Sequence, residues 1–287
     1  MRIPLLAATA FLATLTASAQ VSSYLVEKRT YTEQTQQDTA PTLKGVYEAR
    51  FAVFGSNLAG LTPVRITTLP VGSLAAAPVN ASYTNPNWET IYSTNSKATL
   101  DQQFANGAYA LQVGGATPSI NLGAGGSFTD KYPDVLPLLT GGTWSGGALL
   151  IDPTLTSYTF NFNGDQVAAY TSGGRISVTL MSPTAQHAES IYSTTFGVTQ
   201  SALNSYTINP TLTGMIGGQT YTLELEYSLY TGQGLVGGTV PKAGAFTYIS
   251  QIQVTAVPEP STCAVAAGFI ALLGAIVWRK RRALGAC

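Results

Sequence analysis

The chain has 287 residues, with 14 Lys or Arg against 14 Asp or Glu, one histidine and two cysteines, and only 10% of it is charged. Once Arg2 and the four cations at 279–282 are set aside, residues 20–257 hold nine Lys or Arg against 13 Asp or Glu, a net of about −4. Nucleic-acid binding draws on clustered cations, which this stretch lacks, so nucleic acid is not expected as a partner.

The first predicted element is a secretory signal peptide, residues 1–19. Met1-Arg2 supplies the positive start, Ile3 to Leu15 the apolar stretch, and Ala17-Ser18-Ala19 the small residues before a cleavage site that leaves Gln20 first. No cysteine follows the cut, which argues against a lipid anchor at this end. Cys263 and Cys287 both lie beyond residue 257, so the exported body, 20–256, has no disulfide and relies on the size of its core.

Within the body, alternation with period two predicts half-buried strands. Gly45–Phe54 sets Tyr47, Ala49, Phe51 and Val53 against Glu48 and Arg50. Ser96 opens a short helix to Phe104 as a capping residue, with Leu100 and Phe104 four apart, and a strand follows over Ala108–Val113. Thr156–Asn163 places Tyr158, Phe160 and Phe162 opposite Thr159, Asn161 and Asn163. Arg175–Met181 aligns Ile176, Val178 and Leu180, and Thr220–Tyr230 sets Tyr221, Leu223, Leu225, Tyr227 and Leu229 against Thr222, Glu224, Glu226 and Ser228. The last strand is Phe246–Ala256, and turns fall at Asn163-Gly164-Asp165, Ser172-Gly173-Gly174, Gly217-Gly218 and Gly237-Gly238. Short strands with regular turns and no βαβ alternation predict an all-β fold, a single large β-sandwich of jelly-roll-like form.

Chemistry is sparse. His187 is the only histidine, has no G-x-S-x-G elbow near it, and reads as a loop residue, so neither a Ser-His-acid device nor a zinc site is expected. Glu224 and Glu226 share a strand face, as a glycosidase pair could, but that face is polar throughout and reads as solvated. Asn161, Asn163 and Asp165 have a faint calcium-loop spacing without the later Glu, and read as a hairpin turn. Trp88 and Trp144 stand beside turn residues. An indole usually buries its large area in the core, which is the reading preferred for both; an exposed ring could instead stack on a sugar, the better reading if Trp144 lies on a concave face with Tyr132 nearby, so Trp88, Trp144 and Tyr132 are the candidate glycan contacts. No catalytic residue, metal or cofactor is expected.

After the body, Pro258-Glu259-Pro260 can neither extend a β-ladder nor start inside a helix, which makes residues 257–261 an exposed connector with one carboxylate. Residues 261–278 form an apolar run of about 18 residues, about 27 Å as a helix against a hydrocarbon core of ~30 Å, and Arg279, Lys280, Arg281 and Arg282 follow at once. Cations on the inner side orient this predicted transmembrane helix with the body outside. Motif, helix and basic tail, spanning 257–287, resemble the PEP-CTERM sorting signal. That resemblance implies processing by exosortase, a multi-spanning membrane protease, passage through the inner membrane as a precursor, and delivery to the cell surface or extracellular matrix, commonly with exopolysaccharide or biofilm matrix. The expected function is therefore that of a non-enzymatic, exosortase-sorted surface or matrix protein associated with glycan; a secreted carbohydrate-active enzyme carrying the same signal is the alternative.

Overall fold

The computed structural model describes residues 19–164, 173–181, 204–211 and 214–257. The expected signal peptide (apart from Ala19), His187, Asp165 and the whole of 258–287 lie outside the described residues. In chain order the elements are β1 (Gln20–Gln34), β2 (Thr42–Ser56), β3 (Val64–Thr68), β4 (Val79–Asn80), β5 (Ser82–Tyr83), β6 (Trp88–Thr94) and α1 (Lys97–Gln103). There follow β7 (Gly107–Val113), β8 (Ser119–Leu122), β9 (Leu139–Thr140), β10 (Thr143–Ser145), β11 (Ala148–Ile151), β12 (Tyr158–Phe162), β13 (Gly174–Met181), β14 (Ser205–Ile208), β15 (Thr220–Val236) and β16 (Val240–Ala256). The fold is all-β with one short α-helix among the described residues. That helix starts where its sequence places it: Ser96 is extended, and its hydroxyl accepts from the Thr99 amide at 3.3 Å.

The centre of the molecule is a long hairpin. β15 and β16 have 17 residues each, about 56 Å at a rise of ~3.3 Å per residue, and pair antiparallel down to Val236 opposite Val240. Gly237 and Gly238 close it at φ of 61° and 78°, a left-handed backbone that other residues adopt only under strain. On the far edge of β15 lies β13. On the far edge of β16 two strands run end to end, both parallel to it: β1 from Tyr24 beside Lys242 to Gln34 beside Ile252, then β11 from Ala148 beside Gln253 to Ile151 beside Ala256. β2, β6 and β5 extend the sheet beyond β1, and β10 beyond β11.

Two small sheets cover one face of this large one. Phe246, Ile252, Val254 and Ala256 alternate with residues of the other face, so they point the same way, yet they belong to two apolar cores. The sheet β4-β3-β7-β8 packs over the first, where Phe246 meets Tyr24, Val26, Phe51, Ile66, Leu111 and Ile120. The sheet β14-β12-β9 packs over the second, where Ile252 and Val254 meet Phe160, Phe162, Ile176, Leu223, Leu225 and Tyr227. A jelly roll's pair of matched antiparallel sheets is thus not the layering observed. The reason is length: strands of 17 residues outrun any small covering sheet, and two are needed end to end.

Candidate functional site

Between the two cores the shared face turns polar. Along β1 the residues after Tyr24 and Val26 on that face are Lys28, Thr30, Thr32 and Gln34, all buried. Gln34 behaves like a piece of strand: its amide nitrogen donates to the Leu139 carbonyl at 2.7 Å and its oxygen accepts from the Leu139 amide at 2.8 Å. Lys28, only 1% exposed, reaches Asp101 of α1 at 2.6 Å, while Asp101 is 36% exposed and also holds Lys97 at 2.7 Å. Burial pushes the Lys28 ammonium below its usual range, opposed by the hydrogen bond and charge of Asp101. Lys97 also binds Asp130 at 2.5 Å, and the Asn106 amide donates to Asp130 at 2.7 Å. Burial works against ionisation of Asp130, but these two partners outweigh it and hold the carboxyl below the ordinary range.

The opposite face of the large sheet is where Glu224 and Glu226 lie, and it differs from the solvated surface their pattern predicts. Ser228 and Thr247 are buried there, Glu226 is paired with Arg175, and Glu224 accepts from the Gln251 amide at 2.8 Å. Period-two patterning reports that a face is polar; it does not report whether water reaches it. At the middle of this face sits Glu27, 1% exposed, receiving Arg29 Nε at 2.7 Å and the Thr247 hydroxyl at 2.5 Å, with Arg50 at 3.8 Å. Burial raises its pKa, but the charges of Arg29, Arg175 and Arg50 and the Thr247 bond overcome this and bring it down to about 2. The signal for such a site is three successive charges, Glu27-Lys28-Arg29, inside a strand.

The aromatic candidates are not brought onto one platform. Trp88, partly buried, packs on the core around Phe246 and donates to the Leu58 carbonyl at 2.7 Å. Tyr132 packs on the same core, stacked on Tyr248 at 4.9 Å and edge-on to Phe246 at 5.1 Å. Trp144 packs on the other core, its indole N–H donating to Gly141 at 2.9 Å. It borders an open cavity of about 300 Å³, lined also by Thr35, Gln36, Gln37, Ser145, Gly146 and Gly147. Gln36 and Gln37 were not legible as site residues, because they reach Trp144 from more than a hundred positions away. A second, apolar cavity of about 170 Å³ lies within the core around Phe246, lined by Phe51, Ile66, Tyr92, Phe104 and Leu122 among others. Asn163 is no turn ligand: its oxygen accepts from Tyr227 at 2.8 Å and from the Leu138 amide at 2.9 Å, and its amide donates to Leu136.

At its C-terminal end the body is tied off firmly. The Ala256 amide donates to Gln219 and its carbonyl accepts from Gly218, at 2.9 and 2.7 Å, and the Val257 amide donates to Ile151 at 2.9 Å. Residues 256–282 match the PEP-CTERM protein-sorting motif. The motif therefore begins on the last residue of β16. PEP-CTERM signals are recognised by exosortase, a membrane protein, and mark the chain for export and sorting to the cell envelope or surface. No curated protein matches the chain. Among the described residues no helix is long and apolar enough to cross a membrane, and the run expected to do so, 261–278, lies outside them.

Proposed function

We propose that the chain is a non-enzymatic surface or extracellular-matrix protein. It is held in the inner membrane by residues 261–278 until exosortase processes it, and it associates with exopolysaccharide through the cavity beside Trp144. The observation that carries the reading is the sorting motif at 256–282. Support for a glycan at Trp144 is chemical. An indole face beside the Gln36 and Gln37 amides and the Ser145 and Thr35 hydroxyls offers stacking and paired hydrogen bonds, and no lining residue is charged, which suits a neutral sugar. The carbohydrate-active enzyme has less behind it, since Arg175 and Gln251 engage the two strand carboxyls that could have formed its pair.

Mass spectrometry of the surface form tests the sorting. In exosortase-bearing cells the wild-type chain loses its C-terminal segment, and a chain with Pro258-Glu259-Pro260 replaced by three alanines stays full-length in the membrane. An intact Cys287 on the wild-type surface form overturns it. For the glycan, titration with exopolysaccharide from the producing cells should show Gln37→Ala and Trp144→Phe each weakening binding about tenfold, a loss of ~1.4 kcal/mol. Unchanged affinity in both variants removes the cavity as the site.

A further inference from the structure

We propose that, while the sorting signal is intact, the end of the body from which residue 257 leaves is seated on the outer membrane–water interface, with Leu155 and Ile216 immersed in it. This rests on the reading of residues 261–278 as the membrane anchor.

The tether allows little else. Ala256 is the last strand residue and already belongs to the sorting motif, and Val257 is hydrogen-bonded to Ile151. From Val257 to Ser261, where the apolar run begins, four residues reach at most about 14 Å when fully extended. The headgroup layer itself takes up about 5–7 Å on each side of a bilayer. The loops that surround the exit point are therefore held at the lipid surface whenever the anchor is inserted.

Those loops are 152–157, after β11, and the described residues 209–211 and 214–219, before β15. Among these described residues Leu155 and Ile216 are large apolar side chains that stand exposed, at 40% and 57%. Leu155 lies four residues beyond Ile151, which receives the Val257 amide, and Ile216 two residues before Gly218, which donates to Ala256. Thr211 joins the two loops, its hydroxyl donating to the Leu155 carbonyl at 3.2 Å. Neither loop contains Lys or Arg, so attraction to anionic lipid is not the device; shallow burial of apolar side chains is. Asp152, partly exposed and kept below the usual carboxylate range by hydrogen bonds from Thr154, limits the depth to the headgroup region. Leu235, comparably bare at 55%, is at the other end of the hairpin, beside Pro241, and serves as the control.

The test uses the full chain with Cys263 and Cys287 replaced by Ala, carrying Leu155→Cys, Ile216→Cys or Leu235→Cys with an environment-sensitive fluorophore. It is reconstituted in vesicles of mixed phosphatidylcholine and phosphatidylglycerol containing a headgroup-proximal spin-labelled lipid. Labels at 155 and 216 should be quenched about twofold, and the label at 235 left unchanged, as expected for interfacial contact of one end only. A parallel chain labelled at natural Cys263 reports insertion of the anchor. Quenching at 263 without quenching at 155 and 216 overturns this inference alone. Absence of quenching at 263 overturns the anchor and the inference with it. A blue shift at 155 and 216 that fades on dilution, without lipid quenching, assigns the face to a second copy of the chain and also overturns it.

Discussion

Glu27 and Lys28 are neighbours in β1, point to opposite faces, and are both buried charges, yet they have different consequences. Glu27 is paid for by several cations at once, and its carboxyl at about 2 stands well below the ordinary 4.5. A carboxyl depressed in the folded state adds stability that is present above the unfolded value and is lost as pH falls from about 4.5 toward 2. The shift corresponds to about 3 kcal/mol. Unfolding midpoints followed from pH 5 to pH 2 should fall more steeply for the wild-type chain than for Glu27→Gln, and equal slopes would remove Glu27 as the cause. Lys28 has a single strong partner, Asp101, which is partly in water and has Lys97 as well. The pair should therefore respond asymmetrically. Asp101→Ala strands a buried ammonium and should cost about 3 kcal/mol, whereas Lys28→Met leaves Asp101 solvated and paired and should be neutral or stabilising. Denaturant titration of the two variants checks the order, and a larger loss for Lys28→Met would show the pair to be worth more than its desolvation.

At the scale of elements, the close crossing of β8 over the long hairpin depends on missing side chains. A Cβ on Gly244 would stand 2.5 Å from the Asn121 carbonyl oxygen and 2.9 Å from Leu122 Cα, and one on Gly232 would also strike Asn121. Thr231 fastens the crossing, its hydroxyl accepting from the Gly123 amide at 3.1 Å. Gly244→Ala should therefore push β8 off the sheet and cost about 3 kcal/mol. Gly60→Ala, which meets nothing within 4 Å, should stay within about half a kcal/mol. Similar melting temperatures for the two would contradict this. The elements were legible wherever one face is apolar and the other polar: Tyr221 to Leu229 lie on the buried face that their alternation predicts, and the Ser96 cap starts its helix. β1 was not legible, because Tyr24 to Lys28 are buried on both faces and the charges among them erase the alternation. Nor was the start of β16 at Val240, where Pro241 and the run Ala243-Gly244-Ala245 interrupt the pattern before Phe246. Parallel pairing of β1 with β16 joins residues more than two hundred positions apart, and no local periodicity encodes that. For the same reason Trp144 could be singled out from its neighbours in sequence, but its partners Gln36 and Gln37 could not.

For the whole molecule, the question is whether two cores make two independently folding units. β1, β15 and β16 run from one core into the other without interruption, so neither core can lose its sheet while the other keeps it. Gln34 and Lys28 fasten the region between them to β9 and to α1. We therefore predict one cooperative transition. Leu225→Ala in the core under β12 and Ile120→Ala in the core under β7 should each cost about 2–5 kcal/mol, and each should lower the same single transition. The tryptophans provide separate reporters, since Trp144 packs on the core under β12 and Trp88 on the core under β7. With Trp278→Phe as background, single-tryptophan chains retaining only Trp88 or only Trp144 should give coincident denaturation midpoints. Each midpoint should move by the same amount when Leu225→Ala or Ile120→Ala is introduced. Separate midpoints, or a variant that shifts only the tryptophan of its own core, would divide the body into two domains that share strands but not stability.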